Sequence, residues 1–342
     1  FEDESGIVWI GTNGGGVNAY VPWENRFQTF VHDPANASTI ASGKVETIHV
    51  DPDGTVWAGV YNGGLNRYDP DREGFVHYRN DPADPTSLSN DIVNEVRRDS
   101  RGRLWVATNA GLNRYRPETD DFERILATDG ELPEDTIFEI AESPDGELWL
   151  GTNTSGIIVY DPDEGDYRVI EHRADDPESL TDDLVRSIVF DDRGNVWVGT
   201  NQGANRLDSD TGRITRYLHD ADDPQGISSD NVRVILEDRS GRLWIATAGG
   251  GVNRYDYATD TFKMIATDDG LASHQVVAAI DDDRGALWFP TNRGISVYEP
   301  ETGLARTLDA SNGLLSNELT QAVARGPDGA LYFGSSDGIT VV

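Results

Sequence analysis

Short runs of β-branched and aromatic residues, four to six long and parted by Gly, Asp, Asn and Pro, recur along all 342 residues. Runs of that length between turn residues predict strands, and no sustained helical period interrupts them. Residues 45–91 serve as the pattern. Val45 to Val50 reads as a strand A, and Asp51-Pro52-Asp53-Gly54 as a tight turn whose Gly supplies the positive φ a hairpin needs. Thr55 to Gly59 reads as strand B, Leu65 to Tyr68 as strand C and Phe75 to Arg79 as strand D. A long loop, Asn80 to Asp91, leads to the next strand A.

The unit repeats around Trp9, Trp57, Trp105, Trp149, Trp197, Trp244 and Trp288, with Tyr332 in the eighth place, in steps of 48, 48, 44, 48, 47, 44 and 44 residues. Gly stands three residues before each anchor. Units accordingly begin near residues 3, 51, 99, 143, 191, 238 and 282, with a partial one at 326. One four-stranded unit cannot bury both faces of its sheet, so neighbours must stack and close into a ring. The expected fold is an all-β propeller of four-stranded antiparallel blades occupying 1–342 as one domain. Seven A, eight B, eight C and seven D strands are legible, two more than the 28 of a seven-bladed ring. Seven blades are expected, with eight, or seven plus surplus strands, as alternatives. Closure is expected to join the last strand A, near Leu319 to Ala324, to N-terminal strands around Trp9, Tyr20 and Phe27, leaving Gly326 to Val342 over.

Charge narrows the function. The 61 acidic against 28 basic residues give a formal charge of −33, a field that repels nucleic acid and anionic lipid. Only Lys44 and Lys263 are lysines. An acidic, lysine-poor surface suits high salt, where screening tolerates dense charge of one sign, and a halophilic source is expected. Cysteine is absent, which removes disulfides and thiolate metal sites. No apolar run is long enough to cross a bilayer as a helix, so no direct membrane insertion is expected, and Phe1-Glu2-Asp3-Glu4 reads as the start of an excised segment.

Candidate chemistry is sparse. Paired carboxylates such as Asp51 and Asp53, or Asp191 and Asp192, recur in turn after turn, which marks them as acceptors for turn amides rather than as a catalytic pair. The six histidines lack metal-ligand spacing, and three of them, His32, His172 and His219, open the long loops at matching places, a loop-packing position. Neither metal nor cofactor is expected. B–C turns and D–A loops share one face, where a ligand would bind. Asn occupies the fourth place after the anchor at Asn13, Asn109, Asn153, Asn201 and Asn292, and Tyr61 and Ala248 break that series. Tyr61 and the adjacent Asn62 offer a sugar-stacking ring and an amide, Lys44 and Arg293 offer anchors for a carboxylate or sulfate, and His274 replaces the Asn or Asp of other units. Trp23, in a C–D turn on the opposite face, is a candidate interface residue.

The wording Asp53-Gly54 through Trp57, Gly59 and Gly63-Gly64-Leu65-Asn66-Arg67-Tyr68-Asp69-Pro70, with the loop Asn80-Asp81-Pro82 through Ile92-Val93, resembles the two-component regulator propeller repeat. That resemblance implies a non-catalytic, periplasmic or otherwise extracytoplasmic sensor of a membrane-anchored signalling protein, with a histidine kinase or diguanylate cyclase elsewhere in a longer chain. It also implies carbohydrate-derived ligands and contact with a second propeller or other domains of that chain. Two alternatives stand beside it: a protein-interaction platform without a small ligand, and a propeller enzyme similar to streptogramin lyases, for which His274 is the candidate residue.

Overall fold

The anchor indoles explain why the blades form. In a computed structural model describing residues 1, 3, 8–12, 16–20, 27–208 and 211–342, Trp57, Trp105, Trp149, Trp197, Trp244 and Trp288 are each at most 6 % exposed and pack between consecutive blades. Burying a side chain of that size against its neighbour is worth several kcal/mol, at roughly 25 cal/mol per Å². Seven apolar clusters fill the seven gaps between blades.

The molecule is a seven-bladed β-propeller. Blades one to five each run A-B-C-D in order and span 45–78, 93–125, 137–170, 185–217 and 232–265. Blade six spans 280–308, its strand A shortened to Ile280–Asp281 and prolonged by an isolated bridge between Val276 and Thr291. The A strands are innermost and stand side by side around the axis. Strand B carries Gly where the next blade's first strand comes closest: a Cβ on Gly59 would lie 2.7 Å from Val93 Cγ1.

Closure differs from the sequence expectation. Blade seven takes strands A, B and C from Leu319–Arg325, Leu331–Ser335 and Gly338–Val341, and its strand D is the N-terminal Gln28–Val31. The register pairs Gln28 with Val341 and Val31 with Gly338. The C-terminal segment therefore supplies two inner strands of the ring. The surplus lies instead at the N-terminus, where Val8–Thr12 and Gly16–Tyr20 form a separate two-stranded sheet. Trp9 on that hairpin is 42 % exposed and donates its indole N–H to Asp3 at 2.7 Å, so it is no interblade wedge. Asn13 and Trp23 lie outside the described residues.

Candidate ligand site at the channel mouth

Five of the A strands carry a register shift after their first residue, between Val45 and Thr47, Val93 and Glu95, Ile137 and Glu139, Val185 and Ser187, and Val232 and Val234. A bulge leaves one residue out of the ladder and re-aims its side chain. The residues so placed are Glu46, Asn94, Phe138, Arg186 and Arg233, and none repeats the chemistry of its neighbour except the two arginines.

Phe138, Arg186 and Arg233 line a cavity of about 370 Å³ on the propeller axis, together with Glu95, Arg97, Glu139 and, on the opposite side, apolar Val277, Ala278 and Val323. Arg186 donates from Nε to Asn201 Oδ1 at 3.1 Å, and its guanidinium lies 5.3 Å from the Phe138 ring centroid. Asn201 belongs to the Asn series of the B–C turns, and Asn109 likewise accepts from Asn94 at 2.9 Å. The series thus orients bulge side chains. Arg233 makes no hydrogen bond or ion pair among the described residues, and neither arginine has a carboxylate within salt-bridge distance. Burial lowers the pKa of both, and for Arg186 the neighbouring Arg233 charge lowers it further.

The carboxylates that share the channel do little to neutralise them. Burial pushes Glu95 up to about 7 against the opposing pull of Arg97 and of the Thr47 hydroxyl. Burial and the Glu95 charge raise Glu139 well above the ordinary range. With two carboxyls leaning toward their neutral forms beside Arg97, Arg186 and Arg233, and Glu142 the third carboxyl of the lining, the channel is far less negative than the rest of the molecule.

The residues singled out in the turns lie around this mouth without lining the cavity. Lys44, Tyr61 and Asn62 sit together on blade one: Tyr61, 48 % exposed, donates its backbone N–H to Lys44 O at 2.8 Å, and Lys44 Nζ is tied to Glu46 at 3.1 Å. Asn62 takes a left-handed φ of 55° and accepts from Arg79 through its carbonyl. Arg293 is an exposed turn residue of blade six, and His274 precedes that blade with its Nε2 2.7 Å from Thr267 Oγ1. Arg186, Arg233 and Phe138 stand on strands, away from the loops to which the sequence points. Their mark in the sequence is a charged or aromatic residue directly after the buried Val or Ile that opens a strand A.

The turn carboxylates and loop histidines do what their repetition implied. Asp99 accepts the backbone N–H groups of Arg101 and Arg103 and the Trp105 indole N–H. His32, His172 and His219 each bond through Nδ1 to a carbonyl eight residues on, at 2.6–2.9 Å. Among the described residues no group of three or more His, Asp or Glu is placed to hold a metal ion.

Fold and mouth together define a seven-bladed ring propeller with an individually decorated channel. The family model of the two component regulator propeller matches residues 87–110, 131–154, 179–202 and 226–249, each from the end of a D–A loop through strands A and B into the B–C turn. Blades two to five thus carry two component regulator propeller repeats. It is 29 % identical over 211 residues to histidine kinase P4 of Formosa agariphila, an alignment covering 60 % of this chain and 15 % of the kinase. It also resembles the extracellular domain assigned to the hybrid two component system BT3049 of B. thetaiotaomicron, at 26 % identity and a TM-score of 0.78, covering all of this chain and 44 % of that one. The chain therefore spans less than half the length of either relative. Virginiamycin B lyase from Staphylococcus aureus shares the fold alone, at 16 % identity and a TM-score of 0.68, covering 92 % of this chain and 97 % of the lyase. Among the described residues no helix is long and apolar enough to cross a membrane.

Proposed function

We propose that this propeller is the extracytoplasmic sensing domain of a membrane signalling protein and that its ligand is an anionic, carbohydrate-derived molecule bound at the channel mouth. The observation that carries this reading is the pair Arg186 and Arg233, held on bulges at the axis without a carboxylate partner in a chain of charge −33. Guanidinium groups suit carboxylate and sulfate by shape and charge, and the apolar wall of Val277, Ala278 and Val323 suits a sugar's C–H face. A longer oligosaccharide would run outward to the B–C turns and reach Lys44 and Tyr61. Occupancy would be passed to a signalling domain of the same polypeptide, as the names and lengths of the relatives suggest. The role is binding rather than catalysis.

Calorimetry of the purified domain against uronate and sulfated oligosaccharides, with neutral counterparts as controls, tests this. An acidic oligosaccharide is expected to bind, and Arg233→Ala to weaken it at least tenfold, since a charge-assisted hydrogen bond contributes about 1.5–3 kcal/mol. Binding of neutral sugars alone, or of acidic ones unaffected by Arg233→Ala, would overturn the site. No small-ligand binding at any salt concentration would favour the interaction platform. Turnover of a streptogramin that is lost in His274→Ala would favour the lyase reading.

A further inference from the structure

A second cavity, of about 560 Å³, lies away from the axis in the gap between blades three and four. Its existence follows from a breakdown of the chain's own repeat. In the gap between blades one and two, Trp57 packs with Tyr78, Tyr115 and Phe122. Both tyrosine hydroxyls donate to Asp120 at 2.6 Å, while Arg67 covers Trp57 and donates to Tyr115. The gap between blades four and five repeats this plug with Trp197, Tyr217, Tyr255, Phe262, Asp260 and Arg206.

The ladder registers place Ile170 where those gaps have Tyr78 and Tyr217, Leu207 where they have Tyr115 and Tyr255, and Ile214 where they have Phe122 and Phe262. Val159 replaces the arginine, being paired with Trp149 as Arg67 is with Trp57. Gly212, at φ +71°, replaces the left-handed Asp120 and Asp260, and no atom lies within 4 Å of where its Cβ would be. Every member of the plug except the tryptophan is smaller here.

The anchor itself has lost its acceptor. Trp57, Trp105, Trp197, Trp244 and Trp288 each donate their indole N–H to an Asp six residues earlier, at 2.8–3.0 Å. Ser143 stands there before Trp149. The Trp149 Nε1 is buried without a hydrogen-bond partner, in a side chain only 6 % exposed, and it lines the cavity. Glu147, whose pKa is lowered chiefly by Arg168 and least by Trp149, is the nearest acceptor in reach of this N–H but makes no hydrogen bond to it. A buried unpaired N–H is destabilising, and a ligand acceptor would recover that cost.

We propose that this cleft is a small-molecule site, independent of the channel, for an apolar ring compound carrying one hydrogen-bond acceptor. Ile170, Leu207 and Ile214 supply apolar walls, Trp149 a buried donor without a partner, and Arg168 and Glu147 a closed ion pair at the rim. The size falls within the range of ordinary ligand pockets. Carboxylates outnumber guanidinium groups in the lining, with Asp145 and Glu171 standing near Arg168 and Arg173, so an anion has no special claim on the site, which separates its chemistry from that of the channel.

The test uses 2-acetonaphthone and its acceptor-free analogue 2-ethylnaphthalene, followed by calorimetry and by the indole N–H resonances of nitrogen-labelled protein, with that of Trp149 identified through Trp149→Phe. The ketone is expected to shift the Trp149 resonance and to bind at least tenfold more tightly than the hydrocarbon. Ser143→Asp returns the missing acceptor and Leu207→Tyr fills the gap as in other blades. Each is expected to weaken the ketone at least tenfold while leaving the melting temperature equal or higher, and Arg233→Ala to leave it unchanged. An unmoved Trp149 resonance at saturating ketone, or ketone binding of parental strength in both folded variants, would overturn the proposal.

Discussion

At the scale of single residues, the turn aspartates carry more than turn geometry. Asp51 accepts the Trp57 indole N–H at 2.9 Å and a two-pronged bond from Arg98 of the next blade at 2.5 and 2.6 Å. Burial would raise its pKa, but the bonds from His49, Arg98 and Trp57 outweigh burial and hold it far below the ordinary carboxylate range. Asp51→Ala would leave Arg98 half-buried and unpaired and the indole N–H without an acceptor. It is expected to cost about 3–5 kcal/mol in denaturant unfolding. The pH dependence of stability has two opposite parts. Asp51 binds a proton more readily unfolded, so its contribution is present above about pH 4 and is lost as pH falls. Glu95 binds a proton more readily folded, its folded pKa being about 7 against an ordinary value of 4.5, so its contribution falls as pH rises between those values. Arg97, Thr47 and Glu139 face it. Glu95→Gln is expected to raise stability at pH 7.5 by about 1–3 kcal/mol and to flatten the melting temperature between pH 4.5 and 7.

At the scale of strands and turns, the glycines divide by what surrounds them. Gly54 and Gly64 both have positive φ, at +88° and +68°. A Cβ at Gly54 meets nothing within 4 Å, whereas one at Gly64 falls 2.2 Å from the Tyr78 carbonyl oxygen. Gly54→Ala is expected to cost about 1–2 kcal/mol, the left-handed penalty alone, and Gly64→Ala distinctly more, because strand C must move off strand D. Thermal denaturation of the two variants side by side checks the order. Turns of this kind were legible in the sequence because their chemistry is local: Asp53-Gly54 announces its hairpin without knowledge of the rest of the chain. The same holds for the anchors, whose spacing sets the blade length. Strand A's bulge was not legible, since nothing in Val185-Arg186-Ser187 states that Arg186 drops out of the ladder. Simple alternation across a strand does not say which polar positions reach the axis, and so the sequence points to the turns instead.

At the scale of the whole molecule, ring closure was the part least open to sequence reasoning. The match of Gln28–Val31 to Gly338–Val341 is a pairing between chain ends, decided by how seven wedges fill a circle rather than by any neighbouring residue. Deleting 326–342 removes strands B and C of blade seven and is expected to abolish the cooperative unfolding transition. Deleting 1–20 removes only the surplus hairpin and is expected to lower the melting temperature by a few degrees at most. The charge of −33 acts on the compact ring as self-repulsion, which salt screens. A rising melting temperature between 0.1 and 2 M potassium chloride is the expected outcome, and a flat profile would speak against a high-salt habitat.

The pairing of residue 28 with residue 341 also has a bearing on time. A ribosome delivers the blades in order, each able to stack on the one before, but the lock that joins last to first is withheld until Gly338–Val341 has been made. During that interval blade one shows a bare flank and the early Gln28–Val31 segment waits without its partner, a template for the wrong chain. The dense like charge that strains the finished ring would at that stage keep half-built copies apart.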